Sequence, residues 1–220
     1  MQTVVGWIAR PLGYLLGWIY SLVGSYGLEI VIFTIIVKVC LYPLYAKQMK
    51  STVGMSKLQP RIKALQSKYA NDKETMNAKM AELYREEGIN PAGGCLPMLI
   101  QLPIIFGLFA LLRNPLLYMG NSERMLFAIH ESFLWMTDLS QPDKWILPIL
   151  AGIATFLAFS LQQQQQQDMP GGSGGMMKAM KYVFPIMIVL MGRTFPAGLT
   201  IYWALSQVIQ IFYNLRMNIA

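Results

Sequence analysis

The sequence predicts an all-α integral membrane protein of five transmembrane helices, with an N-terminal interfacial helix and a cytoplasmic helical hairpin; that the helices stand around a hydrophilic groove is an expectation that rests on other residues, Lys38 and the polar groups of the spans. Three observations lead to the five-helix fold. Of 220 residues, 55% are hydrophobic and 13% charged, whereas a soluble domain carries about 25% charged residues. Five long apolar runs are present: Leu28 to Tyr45, Pro91 to Leu112, Trp145 to Leu161, Tyr182 to Gly192 and Leu199 to Leu215. The first is apolar but for Lys38 and, near its outer end, Glu29. Finally, residues 47–90 hold nine Lys/Arg while 117–143 hold only Arg124. By the positive-inside rule the basic segment is cytoplasmic, which places the N-terminus outside and the C-terminus inside after five crossings.

The elements follow in order. Residues 1–26 mix apolar and aromatic positions with Arg10-Pro11 and recurrent glycine. They have no basic start or small-residue cleavage site, so they read as an interfacial helix, with a sixth span as the rival reading. The first span occupies 27–46. Residues 47–90 form a helical hairpin. Leu58, Ile62, Leu65 and Tyr69 share one helical face, as do Met76, Met80, Leu83 and Tyr84, with Asn71-Asp72 between the arms. The second span occupies 91–116, an extracytoplasmic loop 117–143 and the third span 144–164. A Gln- and Gly-rich cytoplasmic loop, 165–178, leads to the fourth span, 179–193. A tight outer turn, 194–197, precedes the fifth span, 198–216. The fourth span has only eleven uncharged residues, about 17 Å of helix, so either its flanking lysines snorkel or the bilayer thins beside it.

Lys38 is the residue that calls for a function. It lies roughly 15 Å below the start of its span, where a lysine costs about 2.5–3.5 kcal/mol to insert. Acidic residues otherwise occupy loops, so no intramembrane counter-ion is evident and the charge needs water or dipoles around it. Thr34 and Tyr42 share its helical face at i−4 and i+4. Gln101, Ser160, Ser206, Gln207 and Gln210 are neutral polar groups on other spans. Together they are expected to line a water-filled cavity open to the cytoplasm. The competing readings are snorkelling of Lys38 past Tyr42 and simple interhelical hydrogen bonding by the amides and hydroxyls.

Catalytic, metal and cofactor chemistry find no support in the residues. The chain lacks a phosphate-binding Gly-x-x-x-x-Gly-Lys-Ser/Thr, and His130-Glu131 lacks the second histidine of a zincin. Cys40, Cys95 and the single histidine, His130, are too dispersed for a metal site, and cytoplasm-facing thiols stay reduced. Gly171-Gly172-Ser173-Gly174 superficially matches an intramembrane serine protease, yet no span carries a histidine to act as base. The +7 net charge is placed as topology requires and does not indicate nucleic acid. A small-solute or ion transporter with a midplane cation is the alternative function, but neither internal repeats nor a membrane-embedded titrating carboxylate is evident.

Thr34-Ile35-Ile36-Val37-Lys38, Pro43-Leu44-Tyr45-Ala46-Lys47-Gln48-Met49-Lys50-Ser51 and Leu58-Gln59-Pro60 resemble the first span and hairpin of the YidC/Oxa/Alb membrane protein insertases. Tyr84, Asn90-Pro91, Gly94-Cys95-Leu96-Pro97 and Gln101-Leu102-Pro103-Ile104 continue the likeness. It extends through Phe133-Leu134-Trp135, Asp138-Leu139, Pro142-Asp143, Leu147-Pro148-Ile149-Leu150, Pro196-Ala197-Gly198-Leu199 and Tyr202-Trp203. The likeness covers nearly the whole chain from about Arg10.

The resemblance implies a groove open to cytoplasm and lipid that receives hydrophilic tails of newly made membrane proteins and releases their apolar spans into the bilayer, without nucleotide. It implies a groove of Lys38, Thr34, Gln101, Ser206, Gln207 and Gln210, with Leu102, Ile105 and Trp203 against the substrate span. Cofactors and metals are not implied. The expected partners are nascent membrane proteins and lipid, with ribosome and Sec-type channel as further candidates, at a bacterial cytoplasmic membrane, and the chain is expected to work as a monomer. Lys38 stands where arginine is usual, replacing a planar fork with a point charge. Ser206-Gln207 replaces the common Ser-Asn, and Arg193 sits in the outer turn.

Overall fold

A computed structural model describes residues 2–88, 96–113, 118, 127–164 and 173–219. It contains seven long helices: α1 (Gln2–Val23), α2 (Tyr26–Lys68), α3 (Lys73–Glu86), α4 (Leu96–Arg113), α5 (Ile146–Gln164), α6 (Ser173–Gly192) and α7 (Ala197–Ile219). Helix α5 packs on α6 and α7; α2 packs on α7, α1 and α3; α1 also lies along α4. Asn90-Pro91, Cys95, Arg124 and most of the Gln/Gly-rich loop lie outside the described residues.

Helix α2 is longer than the sequence reading. The separate first span and hairpin arm are one helix of 43 residues, about 65 Å long and twice the apolar thickness of a bilayer. Pro43 and Pro60 lie within it. Each removes one backbone donor without ending the helix, because neighbouring turns and packed helices support the rest. By length and apolarity Tyr26–Lys47 qualifies as a span, while Leu102–Leu111, Ile146–Gln162 and Lys181–Gly192 are shorter apolar helices. Helix α6 begins nine residues before the apolar run that the sequence marked, so 20 residues of helix carry the fourth segment.

Helix α1 is continuous, with Pro11 accommodated inside it. Its two faces are distinct. Ala9, Leu16 and Ile19 are buried, whereas Trp7, Tyr14 and Trp18 form an exposed stripe at i, i+7 and i+11. Gly24, at φ +65°, ends the helix and donates its N–H to the Tyr20 carbonyl at 2.8 Å, a left-handed C-cap that favours glycine.

The main core joins α1, α2, α4, the start of α7 and the loop before α5, through Leu16, Ile19, Tyr26, Ile30, Phe33, Leu111, Leu139 and Tyr202 among others. A second, small core closes the hairpin: Leu58, Ile62 and Leu83 are buried, flanked by Leu65, Met80 and Tyr84. Asp72 starts α3 by accepting the Thr75 N–H at 3.0 Å. At the far end of the arms, Arg61 pairs with Glu87.

One loop, residues 127–145, serves the first turns of three helices. Glu131 accepts the Tyr26 N–H at 2.8 Å at the start of α2, and the Tyr20 hydroxyl at 2.8 Å. Asp143 accepts the N–H groups of Trp145 and Leu147 at 3.0 and 3.1 Å at the start of α5, and the Trp135 indole N–H at 2.7 Å. The carbonyls of Gln141 and Leu139 accept the N–H groups of Ala197 and Gly198 at 3.0 and 3.2 Å at the start of α7. These donors have no partner within their own helices, and the loop supplies one. Gly27 lets it close down, because any side chain there would overlap the Phe133 ring.

Partial burial pushes the Asp143 carboxyl up, but its hydrogen bonds from Trp135, Trp145 and Leu147 outweigh that and hold it below the usual carboxylate range. A depressed folded-state value stabilises the fold above the unfolded value, about 3.9 for Asp, and this is lost as pH falls through the folded value. Asp143→Asn is therefore expected to lower the thermal midpoint in detergent near neutral pH. The gap between variant and wild type should narrow as pH drops below about 4. A gap independent of pH across that range would contradict this role for the ionised carboxylate.

Candidate functional site

Lys38 sits between α2 and α7. On α2, Thr34, Lys38, Tyr42 and Tyr45 fall at i−4, i, i+4 and i+7, one face of a helix. Across from them, Phe33 meets Tyr202 with ring centroids 6.3 Å apart, Tyr42 meets Tyr213 at 5.1 Å and Tyr45 meets Tyr213 at 6.2 Å. Contacts that advance together along both chains mean that α2 and α7 run parallel. Four residues beyond the Phe33–Tyr202 level, that register brings Ser206 to the depth of Val37 and Lys38.

The ammonium is enclosed. Lys38 is 4% exposed, so its side chain is not snorkelling to solvent, and the expected open, wetted cleft is at this point a covered one. Nζ lies 3.4 Å from the Tyr45 hydroxyl and 5.0 Å from the Tyr45 ring centroid. A charge-assisted hydrogen bond to a full partner is about 2.7–2.9 Å long, so the hydroxyl holds the cation loosely. With the hydroxyl nearer than the ring centre, the cation lies toward the hydroxyl edge of the ring and not over its face, so the ring contributes only about 0.5–1 kcal/mol against the roughly 2.5–3.5 kcal/mol insertion cost. Among the described residues no carboxylate lies within ion-pair distance of Lys38.

Glu29, near the outer end of its span as the sequence places it, does not serve as that partner. It is 0% exposed in the first turn of α2, with neither carboxylate oxygen hydrogen-bonded. Nine residues separate it from Lys38, about 13.5 Å along the axis and on the opposite helical face.

The remaining sequence-predicted residues divide clearly. Ser206 is 1% exposed and its Oγ has no hydrogen-bond partner, an available polar group at the depth of Lys38. The Thr34 hydroxyl donates to the Ile30 carbonyl at 2.6 Å, so it is taken by its own helix. Gln210 donates to Asn214 Oδ1 at 3.2 Å, and the Asn214 amide donates to the Ala158 carbonyl at 3.4 Å, which ties α7 to α5. Gln207, Leu102 and Ile105 are half-buried. The side chain of Gln101 lies outside the described residues. Trp203, expected to face a substrate span, donates its indole N–H to Thr155 Oγ1 at 3.0 Å, and its ring centroid is 6.0 Å from that of Phe184. The indole is a fixed wall against α5 and α6.

Tyr45, Tyr213 and Asn214 were missed as site residues. The signal for two of them was spacing, since Tyr45 follows Lys38 and Tyr213 follows Ser206 by two helical turns. Tyr213 also donates its hydroxyl to the Lys38 carbonyl at 3.1 Å. No cluster of metal-ligating side chains occurs among the described residues.

Helices throughout the described residues, one of them apolar and long enough to span a bilayer, with a lysine buried against a parallel neighbour, define the class of helical membrane proteins. The comparisons define it further. The family model described as 60Kd inner membrane protein matches residues 18–219, and the chain belongs to that family. It is 41% identical over 212 residues to the membrane protein insertase YidC of Fusobacterium nucleatum, covering 96% of this chain and 95% of that protein. It is 37% identical over 217 residues to the YidC insertase of Geobacter sp. strain M21, covering 97% of this chain and 38% of that longer protein. A crystal structure of an active YidC insertase with its first transmembrane domain resolved matches with a TM-score of 0.67 at 32% identity, over 94% of this chain and 45% of that one.

Thr155→Val removes the acceptor of the Trp203 indole and leaves a half-buried N–H unpaired. The expected loss is about 1–2 kcal/mol, or roughly 2–8 °C in the melting midpoint of purified protein. An unchanged midpoint would show that the indole is not held by this bond.

Proposed function

We propose that this chain is a membrane protein insertase. It receives hydrophilic tails of client proteins at the Lys38 site and releases their apolar spans into lipid. The observation that carries the reading is a cation buried between α2 and α7 with no carboxylate beside it among the described residues. In a low-dielectric site such a charge attracts a carboxylate far more strongly than it would in water. An acidic tail supplies the missing partner, and the drive for release is the client's own apolar span entering lipid, so no nucleotide is consumed.

In this reading five helical segments cross the bilayer, at 27–46, 91–116, 144–164, 179–193 and 198–216. The basic hairpin and the C-terminus are cytoplasmic, and the 117–143 loop and N-terminus are outside. The Trp7, Tyr14 and Trp18 stripe of α1 lies in the interface, where amphipathic aromatic rings are favoured. Lys38, Ser206, Gln207 and Gln210, with Thr34 and Gln101, line the polar path. Leu102 and Ile105 contact the client span, with Trp203 as a wall. The partners are newly made membrane proteins and lipid, with ribosome and Sec-type channel as candidates for delivery, and one copy suffices.

The test is insertion of a single-span substrate with a short acidic N-terminal tail into liposomes containing the purified protein. Lys38→Arg should retain activity, while Lys38→Ala should lose about tenfold or more, the equivalent of 1.4 kcal/mol of transition-state stabilisation. Wild-type insertion by Lys38→Ala would overturn the groove-charge mechanism.

A further inference from the structure

The groove charge is covered by aromatic residues that the tail-binding mechanism does not by itself require. Tyr42 and Tyr45 follow Lys38 by one and two turns of α2, on the hairpin side, and Tyr213 faces both from α7. Their chemistry differs. The Tyr213 hydroxyl donates to the Lys38 backbone carbonyl at 3.1 Å, and its ring meets Tyr42 edge-on at 5.1 Å. Pro43, which has no N–H, lies beside that turn. Tyr213 is thus tied to the helix that carries Lys38, whatever the lysine side chain does.

Tyr45 instead meets the moving part of the lysine. Nζ lies 3.4 Å from the Tyr45 hydroxyl and 5.0 Å from its ring centroid, toward the hydroxyl edge of the ring, with the residue 7% exposed. An ammonium offers three donors and prefers acceptors nearer 2.8 Å. A phenol oxygen at 3.4 Å is therefore a weak stand-in for an anion. Unlike a carbonyl, it also carries a proton to give once the cation has turned away.

We propose that Tyr45 and Tyr213 are positioning residues for Lys38. Tyr213 is the fixed wall, and Tyr45 is a displaceable cover that yields the ammonium to an incoming carboxylate and then donates its phenolic proton in a hydrogen bond to that carboxylate. This rests on the insertase reading. The tail encounters a screened charge, and only a group able to outbid the phenol opens the site. Tails without carboxylates gain nothing from displacing it, so the cover makes the groove selective for anions over neutral polar chains.

Two measurements on the full chain in liposomes test the proposal. The first is modification of Lys38 by a water-soluble amine reagent, resolved by peptide mass spectrometry, with no substrate present. Tyr45→Ala should raise the rate at Lys38 about tenfold over wild type, while the hairpin lysines are unchanged. The second is insertion of matched substrates whose tails carry no carboxylate or two. Tyr45→Phe keeps the ring and loses the hydroxyl. It should slow the two-carboxylate tail about tenfold, as expected for a lost hydrogen bond to a charged group, and leave the uncharged tail at the wild-type rate. Equal Lys38 labelling in wild type and Tyr45→Ala would overturn the cover. Equal slowing of both tails, or of neither, in Tyr45→Phe would overturn the donated hydrogen bond. Normal insertion of the acidic tail by Lys38→Ala, with the labelling contrast intact, would instead overturn the groove-charge mechanism and leave the cover standing, and failure of the wild type to insert either tail would overturn the insertase reading.

Discussion

Backbone donors at helix starts must find acceptors, and inside an apolar bundle no water supplies them. Here one loop answers that requirement for three helices. Glu131 serves the start of α2, Asp143 that of α5, and the Leu139 and Gln141 carbonyls that of α7. Because α2 and α7 are anchored to one loop at their first turns, they run parallel in fixed register. That register brings Lys38, Ser206, Tyr45 and Tyr213 together. The polar site therefore depends on an arrangement well away from it along both helices.

The site balances a cost against a use. A buried ammonium with a full carboxylate partner would be neutralised, and a client carboxylate would gain little by approaching it. A phenol ring and a long hydroxyl contact offset part of the burial cost of the cation while leaving its strongest valence unmet. The unpartnered Ser206 hydroxyl at the same depth adds to an unsatisfied polar surface in an otherwise apolar bundle. Such groups are expensive in a structure that only needs to be stable, and useful in one that must bind and release.

Much of this was legible in the sequence, for physical reasons. A lone charge in an apolar run marks itself, so Lys38 was found from depth and cost alone. The hairpin stripes were visible because Leu58, Ile62 and Leu83 obey helical spacing. Continuity of α2 through Pro43 was not legible, because proline reads locally as a break and only tertiary support shows that it is not. Spacing puts Tyr213 on the face of Ser206, but its contact with Lys38 was not legible: it joins residues 175 apart, and sequence spacing reports only neighbours on one helix. Glu29 lies near the end of its span, as position alone says, but its complete burial was not legible, because burial depends on which elements pack over that turn. The Trp203 indole was placed on the correct helix, but its bond to Thr155 depends on how α5 and α7 are rotated about their axes.

Reversal of the charge tests the central claim most directly. Insertion into liposomes would be measured for Lys38→Glu and wild type with two substrates that differ only in tail charge, one bearing two aspartates and one two lysines. If the buried cation recognises the tail by charge, the variant should reject the acidic tail and insert the basic one better than wild type does. Retention of the acidic-tail preference in Lys38→Glu would contradict the account.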